Sequence, residues 1–243
     1  MKDASMTKHV VIVGAGYGGM TALSELLHYD FISITLIDQH PYHYLQTEVY
    51  DFIANRTTMA DITLSLVTLQ ATFSERVRFI QSKLTALDSS KKTITLNNHD
   101  EIAYDDLILA LGSRTFYPEA IEGIHTHTHG FKNLAGAFLF KQEFERLMHE
   151  KIEKEGQCSL GGEFKVVVCG AGLSGVEIAS AMSEYSKEFF ERSAYVCGAV
   201  NVTLIASGKE VLEGMDSYLQ KVTTQRLRAL GITIMYGKRV IRF

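Results

Sequence analysis

Val10-Val-Ile-Val-Gly-Ala-Gly-Tyr-Gly-Gly19 recurs as Val166-Val-Val-Cys-Gly-Ala-Gly-Leu-Ser-Gly175, displaced by 156 positions. In each copy four apolar, mostly β-branched residues lead into glycines spaced Gly-x-Gly-x-x-Gly. This reads as a strand buried on both faces of a parallel sheet, ending in a tight turn. Residues 20–27 and 176–185 follow, rich in Ala, Leu, Glu and Met and free of proline, and are predicted helices. A second apolar run closes each copy, at 32–38 and at 200–206. Two βαβ openings in one chain make the expected fold class α/β.

Working outward, residues 78–87 and 92–96 read as strands around the turn Asp88-Ser-Ser-Lys91, and 104–110 as another strand ending near Gly112. Residues 137–155 carry Phe138, Phe144, Leu147 and Met148 at helical spacing with charges between them, the pattern of an amphipathic helix. Glycines 156, 161 and 162 mark a hinge, so the expected domains are 1–130, a connecting helix and hinge over 131–163, and 164–243.

The 243 residues are 46% hydrophobic and 21% charged, which excludes a disordered or fibrous chain. A net charge of −4 gives no basic excess for nucleic acid. No apolar run approaches the length of a membrane-spanning helix. Three cysteines, Cys158, Cys169 and Cys197, fit a reducing compartment, and the cytoplasmic side is expected.

A pyrophosphate seated in a strand-to-helix turn asks three things of the backbone. Gly14 allows the tight turn, Gly16 lets the backbone approach the phosphates, and Gly19 lets the helix pack close to the strand. The helix N-terminus adds free N–H groups and the positive end of its dipole. Asp38, 24 residues after Gly14 and at the end of the second strand, is suited to accept hydrogen bonds from an adenosine ribose. Gly170, Gly172 and Gly175 repeat the glycines, but Ala206 stands where the first copy has its acid. Lys209 follows, and two readings are open: a ligand for a 2′-phosphate, or a solvated turn residue. Weak discrimination between NADH and NADPH is expected from the missing acid.

Two dinucleotide turns in one chain imply two nucleotides, the arrangement needed to pass a hydride. The sequence resembles the flavoproteins with paired Rossmann-like dinucleotide-binding domains, an FAD domain followed by an NAD(P) domain. Leu107-Ile-Leu-Ala-Leu-Gly-Ser113 is similar to their second FAD-side motif. Within that group, Asp38-Gln-His-Pro-Tyr-His-Tyr-Leu-Gln-Thr-Glu-Val-Tyr50 and Gly175-Val-Glu177 resemble type II NADH dehydrogenases, Thr47 departing from the usual proline.

The resemblance implies an NAD(P)H:quinone oxidoreductase. FAD contacts are expected at Gly14, Gly16, Tyr17, Gly18, Gly19, Asp38, Gln39, Ala110 and Gly112, and NAD(P)H contacts at Gly170, Gly172, Gly175 and Lys209. Glu177 and Gln46 are the expected catalytic residues, although Glu177 in a first helical turn also suits the helix dipole alone. The electron acceptor would be a quinone or another small molecule, and a homodimer is compatible with the reading. That family closes its FAD fold with a Gly-Asp motif and an amphipathic C-terminal region, neither of which follows Gly237 here. An incomplete FAD domain that holds flavin weakly is therefore expected, with contact to the inner membrane face only where such a region is present. Sulfide:quinone reductase-like chemistry, should Cys158 reach the flavin, and a non-catalytic nucleotide-binding module are the alternatives.

His125, His127 and His129 would point one way on an extended strand, a possible metal set, but no further ligand frames them and surface histidines are expected. No metal site is assigned. Cys169, aligned with Val13, is expected to be an inert core residue, and Cys158 and Cys197 are expected to be structural.

Overall fold

A computed structural model of the chain describes residues 8–73, 75–155, 164–192 and 200–243. Its packing forms two compact units, Met1–Leu45 with Ala60–Arg114, and Gln46–Met59 with Thr115–Phe243.

The first unit opens with β1 (Lys8–Val13), α1 (Tyr17–Leu26), β2 (Ile32–Asp38) and β3 (Tyr42–Tyr44). The chain then contributes a single turn of 3₁₀ helix (Gln46–Glu48) and α2 (Val49–Ile53) to the second unit. It returns with β4 (Thr63–Ser65), α3 (Leu66–Thr72), β5 (Val77–Gln81), β6 (Leu84–Asp88), β7 (Thr93–Leu96), β8 (Glu101–Ala103) and β9 (Asp106–Leu109). The parallel sheet runs β5-β2-β1-β9, β3 and β4 pair antiparallel, and β6-β7-β8 form an antiparallel meander.

The first copy meets its sequence expectation because side chains alternate along β1. Val10 and Ile12 enter one apolar cluster with Leu23, Ile34 and Leu36, while Val11 and Val13 enter a second with Ile37, Ile94 and Leu96. Both faces of the strand are covered. The segment expected as one strand over 78–87 is instead two, β5 and β6, in different sheets. The switch is made at Ser82 and Lys83. Ser82 N donates to Asp38 O at 2.8 Å, holding the end of β5 on β2, while Ser82 Oγ and Lys83 N donate to Asn97 Oδ1 at 2.5 and 3.3 Å. A side chain far away in sequence thereby turns the strand out of the parallel sheet and into the meander.

The second unit continues with α4 (Ile124–His127), α5 (Leu134–Glu155), β10 (Phe164–Cys169), α6 (Leu173–Arg192), β11 (Val200–Ile205), α7 (Ser217–Ala229) and β12 (Thr233–Met235). Its parallel sheet runs β10-β11-β12. Asp216 caps α7, accepting from Tyr218 N and Leu219 N at 2.9 and 3.3 Å. Val49, Phe52 and Ile53 of α2 are buried, and the helix packs on α5 and α6. Lys141 of α5 donates to Phe52 O at 2.9 Å and Asn55 Oδ1 at 3.0 Å, satisfying groups at the end of α2.

β10 corrects the expectation of a strand buried on both faces. Lys165, Val167 and Cys169 are exposed, Val167 at 53%, because β10 pairs only with β11 among the described residues and one of its faces is uncovered. Cys169 is accordingly an exposed residue, not a core one. Partial desolvation pushes its thiol pKa up, which disfavours the nucleophilic thiolate. Cys158 and Cys197 lie outside the described residues.

Candidate functional site

The two glycine turns have one geometry. Gly14 has φ +105° and Gly170 φ +107°. Their N–H groups donate to the ends of the neighbouring strands, Gly14 to Ile37 O at 2.7 Å and Gly170 to Ile205 O at 2.9 Å. Each following helix opens with a bond to the middle glycine, Met20 N to Gly16 O at 2.9 Å and Val176 N to Gly172 O at 3.0 Å.

The three glycines of each turn are glycines for different reasons. Positive φ disfavours any side chain at Gly14 and Gly170. A Cβ on Gly19 would stand 1.7 Å from Gly14 O, and one on Gly175 would stand 1.8 Å from Gly170 O, so helix and turn touch backbone to backbone. Nothing inside the protein requires the middle pair. A Cβ on Gly16 or on Gly172 would meet no atom within 4 Å, and Gly16 has φ −74°, open to any residue. The space in front of each is external and lies at a helix N-terminus, α1 or α6, whose first N–H groups lack intrahelical partners. Open backbone at a helix N-terminus is the arrangement a pyrophosphate requires.

In the first unit the remaining expected FAD residues converge on this turn. Ala110 closes over it, its carbonyl oxygen 2.1 Å from where a Gly14 Cβ would stand, and Ala110 N donates to Val13 O at 2.8 Å. Gly18 faces the Ala110 methyl, and Gly112, at φ +67°, carries the chain away. Tyr17 is half-exposed, its ring edge-on to His43 with centroids 5.1 Å apart. Gln39 is exposed next to Asp38, its carbonyl accepting from Gln81 Nε2 at 3.4 Å.

Asp38, the expected ribose ligand, is tied into the fold. Its Oδ2 accepts from Ala15 N at 2.7 Å and its Oδ1 from His40 N at 2.8 Å, so it braces the glycine turn against the end of β2. A carboxylate oxygen has lone pairs to spare for a sugar hydroxyl. Buried His43 holds the same turn from behind, Nδ1 donating to Ala15 O at 2.7 Å. Motif reading attaches no such role to His43, since the signal is a tertiary hydrogen bond. Asp38→Ala is expected to lower stability by about 1.5–3 kcal/mol, the contribution of a hydrogen bond to a charged group. The same change should weaken flavin binding roughly 10- to 150-fold. Denaturant melts and flavin titrations read the two effects separately, and unchanged curves in both would refute the role.

In the second unit Gly172 and Glu177 are exposed at the start of α6, and Gln46 opens the 3₁₀ turn that leads into α2. Tyr50 of α2 lies beside Ser174 and Glu177, and burial raises its phenol pKa, with the Glu177 charge adding to the rise. The chain turn between Gln46 and Tyr50 therefore brings α2 to the expected catalytic glutamate. Lys209 lies beyond β11, on the wall of a separate cavity.

The histidines do not form a ligand set. The segment is the helical turn α4 followed by extended chain, with His125 against the Tyr117 ring at 4.9 Å and His129 against Phe140 at 5.5 Å. Among the described residues no group of three or more His, Cys, Asp or Glu is placed to hold a metal ion, and no helix is long and apolar enough to cross a membrane.

The chain is 29% identical over 233 residues to an NADH dehydrogenase-like protein, YutJ, of Bacillus subtilis, covering 94% of this chain and 57% of that protein. It is 26% identical over 241 residues to a type II NADH:quinone oxidoreductase of Staphylococcus haemolyticus, covering 96% of this chain and 58% of the relative. It thus spans little more than half the length of the curated relatives it matches. In fold it is similar to the structure of NDH2 from Plasmodium falciparum in complex with NADH, with TM-score 0.80 at 19% identity, over 98% of this chain and 49% of that one. The two-Rossmann α/β architecture is shared. Sequence features that define a family extend over residues 8–243, from β1 through both glycine turns, and the chain belongs to the pyridine nucleotide-disulphide oxidoreductases.

Proposed function

We propose that this chain is the dinucleotide-binding portion of a flavoprotein NAD(P)H dehydrogenase that passes electrons to a quinone. The observation that carries the reading is the duplicated open turn, with Gly16 and Gly172 each leaving space that no internal packing uses. Two such cradles in a member of this family suit one flavin and one nicotinamide coenzyme. The relatives named as NADH:quinone oxidoreductases supply the direction of electron flow and the acceptor.

In this reading the first turn and the N-terminus of α1 bind the FAD pyrophosphate, Asp38 holds the adenosine ribose, and Ala110 and Gly112 border the cofactor. The second turn and the N-terminus of α6 bind the coenzyme pyrophosphate. FAD, when bound, supplies hydride acceptance and two-electron transfer to the quinone. Glu177 and Gln46 serve at the reacting end, and Tyr50 is a positioning residue that fixes the Glu177 carboxylate. No protein nucleophile is needed.

The test loads the chain with excess FAD without oxygen, adds NADH or NADPH, and follows the visible flavin absorption. Bleaching by a coenzyme and recovery on adding a soluble quinone is the expected result. A bound flavin that neither coenzyme bleaches would overturn the dehydrogenase reading and leave a nucleotide-binding module. Bleaching without recovery would overturn the quinone.

A further inference from the structure

We infer that the second unit takes the 2′-phosphorylated coenzyme, NADPH, in preference to NADH, and that the phosphate enters a basic cavity built by Lys209, Lys221 and Arg228. The inference rests on the reading that this unit binds a nicotinamide coenzyme.

In a βαβ dinucleotide unit the adenosine ribose lies at the end of the second strand, where a carboxylate accepts from its 2′-hydroxyl and repels a 2′-phosphate. Here β11 ends at Ile205 and is followed by Ala206, so that repulsion is absent. The next residues lead into a cavity of about 510 Å³ lined by Lys209, Lys221, Thr224, Arg228 and Tyr236. Lys221, Thr224 and Arg228 stand three, four and seven residues apart on α7, one stripe of the helix. Sequence reading reached only Lys209, because the two α7 cations meet it through folding.

The wall carrying Lys209 is tied on both sides. Leu212 N donates to Ala171 O at 2.8 Å, binding the loop to the second glycine turn, and Gly237 N donates to Gly208 O at 2.9 Å, binding it to the chain after β12. The cavity is thus held beside the turn expected to seat the pyrophosphate. Three cations face one lining carboxylate, Glu210. None of the three has an ion-pair partner among the described residues, in contrast with Arg56 and Arg226, which both pair with Glu184. Three cations without ion-pair partners among the described residues, lining one cavity, suit a phosphate dianion, which the 2′-hydroxyl of NADH cannot replace. Glu213 is the rival feature, since its carboxylate lies against Gly208, 2.0 Å from where a Cβ would stand. Turned to the ribose, it would favour NADH instead.

Calorimetric titration of the chain with NADPH, NADH and adenosine 2′,5′-bisphosphate decides between them. NADPH is expected to bind at least about 10-fold more tightly than NADH, about 1.4 kcal/mol. The bisphosphate should bind at the same site and compete with NADPH. In Lys209→Ala/Arg228→Ala, both at exposed positions, the ratio of NADPH to NADH affinity should fall to near unity. Lys221→Ala should give a partial loss. Equal affinities, or NADH preferred with the preference abolished in Glu213→Gln, would overturn the inference and leave the dehydrogenase reading standing. A preference for NADPH that survives the double substitution would overturn the assigned cavity. Failure of both coenzymes to bind would overturn the inference together with the coenzyme reading beneath it.

Discussion

Gly19→Ala is expected to destabilise the first unit by about 3 kcal/mol or more, the upper end of what overpacking costs. The added methyl would stand 1.7 Å from Gly14 O, and the atom in its way is backbone held by the Gly14 N to Ile37 O bond, so no side chain can swing aside. Relief requires α1 to move off β1, which opens the cluster of Leu23 with Val10, Ile12 and Ile34. Against a total of about 5–15 kcal/mol for a domain, the loss is large. Urea unfolding of Gly19→Ala should show a lower midpoint with an unchanged slope. A midpoint within error of the wild type would refute the close contact. The same substitution at Gly175, 1.8 Å from Gly170 O, should act likewise on the second unit.

Gly16→Ser is expected to do the opposite: to leave stability unchanged or slightly raised, and to weaken FAD binding roughly 10- to 100-fold. Gly16 is the N-cap of α1 with extended backbone and no side-chain cap, and serine is among the favoured residues there. A serine side chain meets nothing inside the protein, so its only cost is the space it takes from the pyrophosphate. Paired melting and flavin-titration measurements test this. A variant that binds FAD as tightly as the parent would remove the steric reason for a glycine at this position and with it the strongest support for the cradle. Gly19→Ala and Gly16→Ser together separate glycines kept for the fold from glycines kept for the ligand.

Much of this protein was legible in its sequence because the decisive signals are local. A β-branched run, three glycines at fixed spacing and a proline-free helical segment act within about twenty residues, so β1, α1 and β2 follow from sequence alone, as do β11 and the turn before α6. β2 begins and ends where expected, at Ile32 and Asp38. The geometry of both glycine turns, and the place of Asp38 beside the first of them, were legible for the same reason.

Tertiary packing decided the rest. The segment 78–87 is divided between two sheets at Ser82 and Lys83, which are held by Asp38 on one side and Asn97 on the other. β10 repeats the apolar pattern of β1, yet its Val167 and Cys169 are exposed, since burial depends on what covers a strand and not on the strand itself. Residues 46–59 follow the first βαβ unit in sequence but bury Val49, Phe52 and Ile53 with α5 and α6, which brings Tyr50 to Glu177. Lys221 and Arg228 join Lys209 around one cavity only once α7 is folded beside the loop after β11. Local sequence determines where a strand, a turn or a helix forms, because those energies arise between near neighbours; which side chains meet across the fold is set by contacts between residues far apart in the chain, and these exist only in the packed structure.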